Sequence, residues 1–163
     1  MFMLKRLLFS ALALLMFCGC QSQEPDFTEN VMVMNPFTTH ETLAEAEKAA
    51  NITLTLPENL TSHGKIIYRA ANIEALNLIE VIYTDESGEV RIRKGSGEED
   101  ISGVYTEYAV ETEYCGDDLS FTLKGDGEKD YLAIWADDHF CYSIYAEQGM
   151  NSAALQDLVY AIK

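Results

Sequence analysis

Prolines number three, histidines three, cysteines four and tryptophan one in this 163-residue chain, and basic residues are few, 11 against 27 acidic. Each shortage excludes something. A net charge of −16 repels phosphate backbones and anionic headgroups, which argues against a nucleic-acid partner and against membrane attachment through a polybasic patch. Histidines occur only at His40, His63 and His139, and there is no Gly-x-Ser-x-Gly elbow, paired-histidine helix or dinucleotide-binding fingerprint. The expectation is a protein that is not an enzyme and uses neither a cofactor nor a metal.

The long apolar run stands at the front. Lys5 and Arg6 precede Leu7–Phe17, which is well short of the about 20 apolar residues a membrane-crossing helix needs. A positive segment, a short apolar segment and a small residue make the three-part layout of an export signal. Its end, Phe17-Cys18-Gly19-Cys20, resembles the lipobox of bacterial lipoproteins, in which a small residue precedes a cysteine that is diacylated and becomes the new N-terminus. Phe17 stands where an aliphatic residue is usual. The alternative is an ordinary secretory signal cut nearby, with Cys18 and Cys20 incidental.

Residues 1–19 are thus expected to be a signal peptide, 20–30 a polar tether, and 31–163 one domain, close to the commonest domain size. Cys20 is the expected lipid-attachment residue, holding the chain on the extracytoplasmic face of the cell membrane. Losing Lys5 and Arg6 would leave 9 basic residues against 27 acidic, a net charge of −18.

Cys115 and Cys141 would remain. If the last four strands form a simple meander, both lie at the same end of the sheet but three strands apart, roughly 14 Å, beyond disulfide reach. A bridge between them requires curling or another strand order; otherwise they are two buried thiols.

The remainder predicts an α+β fold: one curved antiparallel sheet of six to seven strands, with a short N-terminal helix and a C-terminal amphipathic helix packed on it. Thr42–Ala50 is rich in helix formers, with Thr39 or Thr42 as N-cap. Ile52–Leu56 alternates with period two and stops at Pro57, as an edge or connecting strand would. Strands are expected at 65–71, 76–84 and 89–94, then at 104–115, 119–124, 131–136 and 140–146, with turns at Asp85–Gly88, Gly116–Asp118, Gly125–Gly127 and Asp137-Asp138. The last helix, capped by Asn151 or Ser152, presents Leu155, Leu158, Val159 and Ile162 as one stripe.

Several landmarks resemble one family. They are Asn35-Pro36 before the Glu45–Ala50 helix, Leu54–Pro57, Val81-Ile82-Tyr83, Arg93-Lys94-Gly95 leading to Asp100–Gly103, Leu132–Trp135, and Tyr142-Ser143-Ile144 before the closing helix. The family is the uncharacterised Gram-positive lipoproteins carrying a domain of unknown function. The resemblance implies a compact extracytoplasmic domain, similar to ones on membrane-anchored regulatory proteins, with no activity and no catalytic residues assigned. It also marks Gly149 as a usual small-residue position and Cys141 as an individual variation.

Candidate sites are few. Asp137, His139 and Cys141 alternate and could share a face for a metal or a Cys-His nucleophile, although a tight turn explains Asp137-Asp138 better. Asp126, Glu128 and Asp130 sit in a glycine-containing loop that lacks the ligand order of a calcium loop. Gly95–Asp100 lacks the lysine of a phosphate loop; if it has a function, binding is the expected one. Tyr105, Tyr108, Tyr114, Trp135, Tyr142 and Tyr145 could line a binding face, but packing is the default, and Trp135 and Phe140 are expected in the core.

Three functions follow. The first is a surface-displayed, non-catalytic binding or interaction lipoprotein. The second is a carrier or sensor of an apolar ligand, which needs a pocket beneath the terminal helix. The third is an envelope hydrolase, which needs Asp117, Asp137 or Asp138 to converge in a cleft.

Overall fold

The computed structural model describes residues 35–58, 60, 64–73, 76–85, 88–116, 118–137 and 139–163. The expected leader and tether, including Cys18 and Cys20, lie outside the described residues, as do His63, Asp117 and Asp138.

The elements in chain order are β1 (Thr38–His40), α1 (Leu43–Ala50), β2 (Ile67–Ile73), β3 (Leu76–Asp85), β4 (Gly88–Ser96), β5 (Val110–Cys115), β6 (Ser120–Gly125), β7 (Asp130–Ala136), β8 (Phe140–Met150) and α2 (Ser152–Ala161). The eight strands form one antiparallel sheet in the order β1-β2-β3-β4-β8-β7-β6-β5. It consists of two four-strand meanders joined where β4 pairs with β8, and β1 and β5 are its edges.

Local chemistry starts and stops the helices. Thr42 caps α1 by accepting the Glu45 N–H at 3.3 Å, and Asn51 ends it with a left-handed φ of 53°, a conformation asparagine tolerates better than most residues. Asn151 caps α2 in the same way, accepting the Ala154 N–H at 2.8 Å. α1 lies on β2 and β3, and α2 on β7 and β8.

Period-two alternation gives the sheet two unlike faces. The helix-covered face carries Ile79, Val81, Val90, Ile92, Leu123, Ala133 and Ile144, all buried, with Leu155 and Val159 of α2 pressed onto it at 0% exposure. Each fully buried aliphatic side chain there contributes about 1.5–3 kcal/mol. The other face carries Glu80, buried to 1%, and every arginine after Arg6. Arg69 (3.3 Å), Arg91 (3.5 Å) and Arg93 (2.8 Å) converge on that carboxylate from the strands flanking it. Arg93 also donates to the carbonyls of Ile101 and Ser102, tying down the connection that follows β4.

Four expectations need correction. The sheet has eight strands, more than the six to seven expected, because the Thr38–His40 edge strand carries no recognisable pattern of its own. Ile52–Leu56 is extended and buries alternate residues, Ile52 and Leu54, yet it stays outside the sheet. Thr55 pairs instead with the chain end, its N–H donating to the Lys163 carbonyl at 2.7 Å.

Within 104–115 only Val110–Cys115 joins the ladder. β4 lies at the centre and β5 at the far edge, running in the same direction, so residues 97–109 serve as the return connection. Finally, β8 continues to Met150, with a register shift opposite Asp130/Leu132, and Gly149 has a φ of 68°. A Cβ at Gly149 would stand 3.0 Å from Lys129 and from Tyr131, so the small residue is required by this close approach. Among the described residues no helix is long and apolar enough to cross a membrane.

Candidate functional site

The helix-free face is closed over β2–β4 and β8, and a groove opens on it over one end of β5–β7. Strand registers bring Glu113 and Cys115 of β5, Ser120 and Thr122 of β6, Ile134 and Ala136 of β7 and Cys141 of β8 onto that one face. They form the floor of a groove of about 290 Å³, whose other wall is the Glu98-Glu99-Asp100 segment. The glycine-containing acidic loop singled out in the sequence therefore borders the groove. Asp100 is partly occupied, accepting the Ser102 N–H at 2.7 Å, and Glu98 and Glu99 are exposed.

The two cysteines line this groove as free thiols, Cys115 exposed and Cys141 buried. They sit on β5 and β8 with β6 and β7 between them. Burial pushes the Cys141 thiol above its ordinary pKa, so it is a poor nucleophile, and its sulfur lies 3.5 Å from the Gly95 carbonyl oxygen.

Asp137, His139 and Cys141 do not assemble. Asp137 Oδ1 accepts the backbone N–H groups of His139 (2.9 Å) and Phe140 (2.8 Å), and its Oδ2 accepts the Tyr142 hydroxyl at 2.8 Å. Burial opposes ionisation of this carboxyl, but those donors, with Lys94 nearby, outweigh it and hold its pKa below the ordinary value. Cys141 faces the groove on the opposite side of the sheet from Tyr142. Among the described residues no three His, Cys, Asp or Glu side chains group as a metal-binding cluster.

Asp126 is placed in the same manner one hairpin earlier. Its Oδ1 accepts the N–H groups of Glu128 and Lys129, each at 2.8 Å, and its Oδ2 accepts the Tyr131 hydroxyl at 2.9 Å. The N–H groups of Lys129 and Glu128, then the Tyr131 hydroxyl, hold its carboxyl below the ordinary value. Both β-turns are locked by an Asp whose carboxylate caps the turn and is clamped by a Tyr five residues on. That Asp-x₄-Tyr spacing recurs in the sequence and carries a structural role that composition alone does not suggest.

A second recess lies at the end of the sheet beyond α2. It measures about 480 Å³, and its walls include Leu119, Trp135, Tyr142, Val159, Tyr160 and Ile162. Trp135 stacks on Tyr142 with centroids 5.0 Å apart and planes within 3°. Lys94, 7% exposed, lies 4.5 Å from the Phe140 ring centroid and 5.2 Å from that of Tyr142, and donates to the Thr53 carbonyl at 2.8 Å. Burial lowers its pKa, while Asp137 and Glu47 pull the other way. Its amine pins the 52–56 segment to the sheet. Burial and the Asp137 carboxylate both raise the Tyr142 pKa, which keeps its hydroxyl a donor.

The other aromatic candidates mostly pack. Tyr114 stacks on Phe121 at 4.9 Å, Tyr108 on Tyr131 at 6.1 Å, and Tyr145 lies under Arg91 at 5.6 Å. Tyr105, at 97% exposure, does not. Trp135 is buried as expected, whereas Phe140 is only half-buried, because it starts β8 at the rim where Lys94 lies against it. No family model, no curated protein and no solved structure matches this chain.

Proposed function

We propose that this protein is a lipid-anchored lipoprotein on the extracytoplasmic face of the cell membrane, and that its domain is a non-catalytic binding module. The anchoring part rests on the Lys5–Cys20 pattern, which ends its apolar run just before a Gly-Cys pair. The binding part rests on one observation, the open groove on the helix-free face. Asp137 is taken up by its turn and Glu80 by three arginines, and neither lines the groove, which instead presents Glu113, Cys115, Ser120 and Thr122 opposite the Glu98-Glu99-Asp100 carboxylates.

The test of anchoring is metabolic labelling with radioactive palmitate. Label should enter the wild-type chain and be absent from Cys20→Ala, which should also accumulate as precursor. Label persisting on Cys20→Ala, or normal maturation of that variant, would contradict the assignment.

A second reading is favoured by the recess beside α2, whose walls are mainly apolar. The sheet directly beneath α2 is filled by side chains, so an apolar ligand would have to enter at the end of the helix. Trp135 is the chain's single tryptophan and lines that recess. Titration with lauric acid should shift its emission if the carrier reading holds, and an unchanged spectrum rejects it.

A further inference from the structure

We infer that strand β5 is a docking edge for an extended cationic segment of a partner protein, which adds to the sheet as a ninth strand. The inference rests on the binding-module reading and names the partner's chemistry.

β5 is one edge of the sheet, and no described residue pairs with its outer side. The Gly116 N–H donates to the Leu119 carbonyl at 3.1 Å, so the backbone groups of Gly116 face β6. By antiparallel alternation, those of Cys115, Glu113 and Glu111 face outward, as unpaired donors and acceptors at every second residue. The side chains of these same residues lie on the helix-free face beside the groove. An added strand bonded to them places every second side chain on that face, next to Glu111 and Glu113.

Charge complementarity selects the occupant. Glu111 is paired with Lys124 at 3.2 Å, but Glu113 has no ion-pair partner among the described residues, and Glu98 and Glu99 stand across the groove. A second copy of this chain pairing β5 with β5 would set glutamates against glutamates in a molecule already carrying −16. Edge carboxylates thus discourage self-pairing while favouring a strand with Lys or Arg at alternate positions. The other edge offers no such site: β1 is three residues long.

The experiment uses the full chain, solubilised in detergent, and two fluorescent octapeptides of equal charge, (Lys-Val)₄ and the same peptide N-methylated at every backbone amide, read by anisotropy at 150 mM salt. N-methylation removes every backbone donor, so the second peptide reports charge attraction alone. The (Lys-Val)₄ peptide should bind at least about tenfold more tightly. That preference should vanish in Glu113→Pro, which deletes an outward N–H without touching the β5–β6 ladder, and in Glu111→Lys/Glu113→Lys, which keeps the backbone and reverses the charge.

Equal binding of the two peptides, no binding, or a preference unchanged in the charge-reversed variant would overturn the proposal, as would a dimer that dissociates on that charge reversal. If Glu113→Pro unfolds, the charge-reversed variant decides alone. Failure here with palmitate still on Cys20 removes the docking edge and leaves the anchored protein standing, and the converse holds too.

Discussion

The two halves of the sheet have the same number of strands and opposite fates. Over β2–β4 both faces are covered, one by α1 with Ile52, Leu54 and Leu60, the other by the 97–102 connection and the arginines around Glu80. Beyond them Cys141 and Ser143 of β8 and Leu132 of β7 are still buried on the helix-free face, but the far part of β5–β7 is covered on one face only and carries a groove with an open edge on the other. The difference follows from one connection. Residues 97–109 must travel from the centre of the sheet to its far edge, and they bury Ile101 and Ser102 over the closed half. The closed half is held from both sides, and the open half has surface available for a partner.

The comparison is broken most strongly by removing the charge that knits the closed half. Glu80→Ala leaves three arginines facing one another without their common carboxylate and should cost about 3–5 kcal/mol by urea unfolding. A loss below about 1 kcal/mol would mean that the arginines are held by the solvent and the loop.

On the covered face of the open half, Leu155→Ala removes a fully buried side chain and should cost about 3 kcal/mol. It should leave the helix-free groove unchanged, because it lies on the opposite side of the sheet.

Asp137→Asn should cost about 1 kcal/mol at neutral pH, since an amide accepts the two turn N–H groups less strongly than a carboxylate. The pH dependence has a definite sign. The folded carboxyl is held below its ordinary value, so its stabilisation is complete above about pH 4 and is lost as the pH falls through the folded value. Thermal unfolding followed from pH 6 to pH 2 should therefore be steeper in the wild type than in Asp137→Asn, and parallel curves would place the acid sensitivity elsewhere. The smallest effect belongs to the groove. Cys115→Ser, at an exposed edge position, should change stability by less than about 0.5 kcal/mol.

Much of the architecture was legible, and the gaps have physical causes. Alternation and turn residues located β2–β4 and β6–β8 because one face of each is buried, and Asn151 with the Leu155–Val159 stripe located α2. Thr38–His40 was hidden because three residues are too few to show a period. Ile52–Leu56 showed the right period but the wrong partner, since alternate burial is the same whether an extended segment bonds to a sheet or to Lys163.

The candidate site was legible only in pieces. The acidic stretch at 95–100 stands out in the sequence by its glycines and carboxylates, but its placement opposite Glu113 depends on the strand order, which periodicity does not specify. Asp126 and Asp137 drew attention as acids and prove to be turn locks, recognisable by the tyrosine five residues beyond each.

A partner strand can dock only if the edge of β5 is free in the intact protein. Amide hydrogen exchange on the full chain in detergent answers this residue by residue. The N–H groups of Glu111, Glu113 and Cys115 should exchange orders of magnitude faster than those of Thr112 and Tyr114, which face β6, and should slow when (Lys-Val)₄ is added. Equal protection of all five amides in the free protein would show the edge already covered and would contradict the account.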